Sequence, residues 1–125
     1  MIIYYGEYMN VYEYVNSKLD TIEDSEGSFD DRIINHINDT LAELTQIIKV
    51  EKFQLVDKNT SLEELYPSDN IPKETLQLIL MYIGLSVRIA FDPPVGSILT
   101  SLEKSRDTIA SRLTIAHNNE EANKR

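Results

Sequence analysis

The chain has no cysteine and no tryptophan, and only four glycines, four prolines and two histidines in 125 residues. Without cysteine there is no disulfide, no thiolate nucleophile and no Cys-based zinc or iron–sulfur site. The glycines are scattered, so neither a phosphate-cradling loop nor a Gly-x-Ser-x-Gly elbow can be built from them. The histidines, His36 and His117, have no spacing that would pair them on a metal. His36 reads as a surface or interface residue on a helix flank, and His117 as a cation near a helix end. Bases are also scarce: 12 against 21 acids, for a net charge of −9, and no basic stripe is present. Gripping phosphate or reading bases is disfavoured by that balance. The start, MIIYYGEYMNVYEY, lacks the basic residues and cleavage site of a signal peptide. The uncharged stretch Leu76–Val87 falls well short of the roughly 18–20 residues that span a bilayer. The expectation is a soluble protein with no membrane contact, no metal and no cofactor, and not an enzyme.

What is present is helical periodicity. Val11, Tyr14, Val15 and Leu19 suit a short helix over 10–19. The acidic stretch DTIEDSEGS (20–28) lacks the alternating oxygen ligands and distant glutamate of a calcium loop, so it reads as a solvated loop. Ser28 then looks like an N-cap, with Asp30 and Asp31 in a first turn where the helix dipole favours acids. Phe29, Ile33, Ile37, Leu41, Leu44 and Ile48 form one stripe along a helix over about 28–49. EKFQLVD alternates weakly, an extended signal, and Thr60 with Glu63 reads as a capping box for one turn. From Pro72 a helix runs to Phe91 and is apolar on nearly every side, with Gly84 and Ser86 small enough to admit another helix. Pro93-Pro94 must end it. A last helix over 97–116 carries Ile98, Leu102, Ile109, Leu113 and Ala116 on one stripe, with Arg106 and Arg112 facing elsewhere. The fold class expected is mainly α: a small bundle of about four helices, with a short β-like hairpin or extended segment near residues 52–57. One domain, 1–116, has an N-terminal arm at 1–9 and a flexible tail at 117–125.

Two features point to contacts with other proteins. An all-round apolar helix must be surrounded by its own domain or by neighbouring copies. Five of the seven tyrosines lie between residues 4 and 14, and tyrosine is favoured at interfaces. Arg88 is a lone charge on the apolar helix. Its side chain either snorkels to solvent or forms a fixed salt bridge with Asp92, four residues on, at a subunit contact.

SFDDRIINHINDTLAELTQIIKV (28–50), FQLVD and SLEELYP, followed by YIGLSVRIAFDPPVGSILTSLEKSRDTIASRL (82–113), resemble the small head–tail connector proteins of tailed bacteriophages. The matching residues are Phe29, Asp30, His36, Ile37, Asn38, Leu44, Gln46, Val87, Arg88, Phe91, Asp92, Pro93, Pro94, Arg112 and Leu113. Where that family tends to read LTQLGV this chain has LTQIIKV, without the glycine, so the turn there should be built differently. The tyrosine of LEELYP is also displaced from the family's aromatic position.

The resemblance implies a structural protein of the virion neck, assembled in the host cytoplasm. It implies a homo-oligomeric ring of about twelve copies, matched to the portal. Such a ring joins portal protein to a stopper or tail-completion protein and lets DNA through its lumen without sequence-specific binding. Phe29, Asp30, His36, Asn38, Arg88, Phe91, Asp92, Pro93, Pro94 and Arg112 become the structural and interface candidates. Ile115, His117, Asn118 and Asn119 become candidates for docking on the portal. The alternative is a small helical regulatory or adaptor protein that acts through protein–protein contacts without catalysis.

Overall fold

A computed structural model describes residues 10–19, 30–48, 55–66 and 71–123, with side chains described up to Asn119. It contains α1 (Val11–Ser17), α2 (Asp30–Leu44), α3 (Leu62–Leu65), α4 (Lys73–Phe91) and α5 (Ser97–Asn123). The mainly helical bundle matches the expectation, with the single turn α3 as a fifth helix. No strand occurs among the described residues; the one β-type contact is an isolated antiparallel bridge between Asn10 and Ser61. The arm at 1–9, the anticipated loop at 20–28 and the first part of the anticipated extended segment, 52–54, lie outside the described residues, as do Ser28 and Phe29.

α4 is the shared neighbour: α5, α2 and α1 each pack against it. That arrangement answers the apolar character of its sequence. Leu76, Ile79, Leu80, Ile83 and Val87 are all fully or almost fully buried, and each contributes roughly 1.5–3 kcal/mol through burial. By length and composition α4 could cross a membrane, but here its apolar surface is spent on the core, with Met81 as its one markedly exposed large apolar residue, 37% exposed. From α2 come Ile33, Ile37, Leu41 and Leu44 at the anticipated spacing, and from α1 come Val11, Tyr14 and Val15. α2 ends at Leu44, earlier than the stripe suggested. The chain leaves through tight turns, with Ile47 and Ile48 amides both donating to the Leu44 carbonyl at 3.0 and 2.8 Å. This exit needs no glycine, since no non-glycine residue described adopts a positive φ.

The capping turn is displaced by one residue from the expectation. Ser61, not Thr60, caps α3, its hydroxyl accepting from the Glu64 amide at 3.4 Å. Thr60 serves the preceding turn, where its hydroxyl accepts from the Asp57 amide at 3.0 Å and donates to the Asp57 carboxylate at 3.1 Å.

α5 runs on to Asn123, so residues 117–123 continue the helix that was expected to end at 116. With 27 residues against 19 in α4, it is longer by about 12 Å at 1.5 Å per residue. The two helices are joined by a short elbow, and short connections make antiparallel neighbours. Consistent with this, Tyr82, nine residues before the end of α4, feels the charge of Arg106, nine residues after the start of α5. The packing face of α5 centres on the buried Ile109 and Leu113. Leu99 lies partly buried on that face, whereas Ile98, placed on the stripe by the sequence, is 60% exposed. A stripe drawn at steps of three and four could start at either residue.

Gly84 explains how α1 comes so close. A Cβ at Gly84 would stand 3.0 Å from the Tyr14 ring and 3.7 Å from the Lys18 side chain. The small residue therefore admits a short helix of the same chain. Gly84→Ala should change stability by less than about 1 kcal/mol, because the helix propensity gained offsets the tight contact. Gly84→Leu should cost about 2–3 kcal/mol by overpacking. Urea denaturation of the two variants measures both.

Candidate functional site

The candidate residues fall into three places. The first is the end of α4. Its last helical hydrogen bond runs from the Asp92 amide to the Arg88 carbonyl at 3.0 Å. Pro93 and Pro94 have no amide to continue the ladder, and Asp92 leaves the helical region at φ −139°, ψ 60°. Gly96, at φ +68°, supplies the left-handed conformation that closes the elbow at no steric cost. Its carbonyl accepts from the Thr100 amide at 3.4 Å, starting α5.

Arg88 fixes this end. Its Nε donates to the Asp92 carbonyl oxygen at 2.8 Å and lies 3.9 Å from the Asp92 carboxylate. Its Nη1 donates to the Lys18 carbonyl at 3.2 Å. One guanidinium thereby satisfies backbone oxygens just beyond two helices, α1 and α4, in the fork geometry that lysine cannot reproduce. The ion pair with Asp92 exists, and it lies within the chain. Phe91 is partly buried between α4 and α2. The Arg32 guanidinium sits over its ring at 5.3 Å from the centroid, and His36 meets it edge-on at 6.0 Å.

The second place is a clasp that α2 makes on the segment before α3. The Asn38 side-chain oxygen accepts from the Val56 amide at 2.8 Å, while its nitrogen donates to the Val56 carbonyl at 3.5 Å. The extended residue thus gains from a side chain the two bonds a neighbouring strand would give it. At the start of α2, Asp30 accepts from the Tyr12 hydroxyl and pairs with Lys58. Asn10 completes the clasp: its side-chain oxygen accepts from the Glu13 amide at 3.1 Å, and its side-chain nitrogen donates to the Lys58 carbonyl. The Val11 amide donates to the Thr60 carbonyl at 3.1 Å. Three stretches of chain that are distant in sequence meet here.

Charge follows geometry. The bonds from Lys58 and Tyr12 hold the Asp30 carboxyl below its ordinary value of 3.8. Burial first, and the Asp30 carboxylate second, push the Tyr12 hydroxyl up to about 12. Burial alone pushes Tyr66 to about 12. Tyr82 is raised by burial and then by Glu43, whose carboxylate accepts from its hydroxyl at 3.5 Å.

The third place is the far part of α5. Arg112 is exposed, as are Asn118, Asn119 and Ile115, the last at 60%, while His117 is half-buried. These residues share a helix with the elbow but stand about 22 Å or more along it, so no single site unites all the candidates. Tyr12, Lys58 and Asn10 were missed by the sequence reading. Their partners lie 18 to 48 residues away, beyond any local pattern. Tyr12 and Tyr14, offered as interface residues, are used inside the chain's own fold, on Asp30 and against Gly84. Among the described residues no group of three or more His, Cys, Asp or Glu side chains could hold a metal ion.

The architecture is thus a compact helical bundle whose polar groups tie distant stretches of the chain together. Comparison with known families gives the class directly. Residues 17–120 match the phage connector protein family, and the chain belongs to that family. It is therefore of a structural class found at the head–tail junction of the virion. No curated protein and no solved structure shows significant similarity to it.

The clasp has a pH signature. A carboxyl whose pKa is lowered on folding contributes stability that is complete above its unfolded value and is lost as pH falls through the folded one. Asp30→Asn should therefore lower the urea midpoint at pH 7, and the gap to the unaltered chain should close as pH drops below 3.8. A gap independent of pH would mean the carboxylate charge is not what the clasp uses.

Proposed function

We propose that this chain is a head–tail connector subunit that forms a ring beneath the portal. The ring joins the DNA-filled capsid to the stopper or tail-completion protein and lets DNA pass through its lumen. The observation that carries this reading is the family match across residues 17–120, which takes in α2 to α5 almost entirely.

Physical features support it. The net charge of −9 disfavours adhesion of DNA to a lumen wall, so the strand stays mobile. The elbow is stiffened on its inner side by Arg88 and presents apolar groups outward: Val95 is 86% exposed and Ile98 60% exposed. Neighbouring Pro93 is exposed as well. Exposed apolar groups beside a rigid turn suit a contact between subunits, where little ordering entropy remains to be lost. The last turns of α5, with Ile115, His117, Asn118 and Asn119, extend past the start of α4 and are assigned to the portal.

Electron cryo-microscopy of the chain mixed with portal rings of its phage tests the proposal. Ordered density for a connector ring on the portal is expected, and no such density would overturn the reading. Replacing Pro93 and Pro94 by alanine in the same experiment should leave a helical protein, by circular dichroism, that loads poorly on the portal. Normal rings from the double variant would reduce the corner to local architecture.

A further inference from the structure

Most cations of the described residues have partners within the subunit. Lys58 pairs with Asp30, Arg88 with Asp92 and Arg106 with Asp107, while Arg32 lies over Phe91 and Lys18 over Tyr14. Lys73 is engaged as well. Lys104 and Arg112 differ. Both are exposed on α5, and among the described residues neither side chain has a partner. They stand eight residues apart, about 12 Å along the helix.

α2 carries the counterpart. Asp31 and Asp39 are exposed, lack partners among the described residues, and are also eight residues apart, again about 12 Å. Asn35, exposed between them, and the exposed Glu43 continue the same polar face. α2 and α5 each pack on α4 rather than mainly on one another, so the two patches lie on different elements of the chain. A contact between two such different patches is heterologous, the kind that generates rings.

We infer that Lys104 and Arg112 on α5 of one subunit engage Asp31 and Asp39 on α2 of the next copy. The occupant is a second copy of this chain because the two patches are opposite in charge and equal in spacing. Ile98, 60% exposed, lies beyond Lys104 toward the start of α5 and gains burial when the faces meet. This assignment rests on the ring proposed above, and names the surface that builds it.

Charge reversal tests it on the full chain. Assembly is followed by sedimentation velocity at rising protein concentration and on portal rings, in low and high salt. K104E/R112E and D31K/D39K should each weaken self-association about tenfold or more, with circular dichroism unchanged. The chain carrying all four substitutions should recover association, because the reversed faces again match. Added salt should weaken the unaltered contact. If the unaltered chain assembles and the reversed chains assemble as well as it does, the surface assignment is wrong while the ring stands. Failure of the fourfold variant to recover, while each pair alone disrupts, would likewise overturn the pairing. If the unaltered chain fails to assemble under any of these conditions, the ring and this contact fall together.

Discussion

Everything in this fold depends on enclosing α4. A 19-residue helix with almost no polar face cannot be left in water, and 125 residues provide little material to cover it. The solution is to place α1, α2 and α5 around it. Gly84 admits Tyr14 at close range, and Arg88 closes the end where α1 and α4 finish. Loss of one large buried aliphatic of α4 would cost on the order of 2–5 kcal/mol, a large share of the roughly 5–15 kcal/mol that holds a domain together. The polar clasp around Asp30 and Asn38 is secondary in energy. Its contribution is to fix where the irregular segment before α3 lies against the bundle.

That division accounts for what could be read from the sequence. The apolar stripes of α2 and α4, the stop at Pro93-Pro94 and the all-helical class follow from local rules, because burial repeats with the helical period. The role of Asn38 does not. An asparagine within a helix is locally unremarked, and the amide and carbonyl it holds belong to Val56, eighteen residues away. Asp30 was legible as a helix-start acid but not as the partner of Tyr12 and Lys58. The continuation of α5 to Asn123 was open to a better reading. No glycine or proline follows Gly96, so polarity alone suggested an end where no stop signal existed. Ser61 and Thr60 can each cap a helix, and only the three-dimensional path of the turn decides between them.

The tyrosines teach a related point. Clustering near the N-terminus suggested an outer surface, yet Tyr12 and Tyr14 are consumed by internal contacts, as is much of the cationic charge. The same economy sharpens the functional picture. When six of the eight described cations are committed within the chain, an exposed pair without partners among the described residues becomes informative, and membership of the phage connector family gives it a context. In the proposed ring the chain works as a rigid spacer: α4 holds the shape, the elbow sets the direction of α5, and the outer face of α5 is the surface proposed to meet other proteins.

Hydrogen exchange on the free chain and on portal-bound assemblies measures that claim most directly. Amides of Ile79–Val87 should exchange only through global unfolding in both states. Those of α5 and the elbow, residues 92–119, should slow by about tenfold or more only upon assembly. Protection of α5 that is unchanged by assembly, or an α4 that opens before the rest of the bundle, would contradict the account.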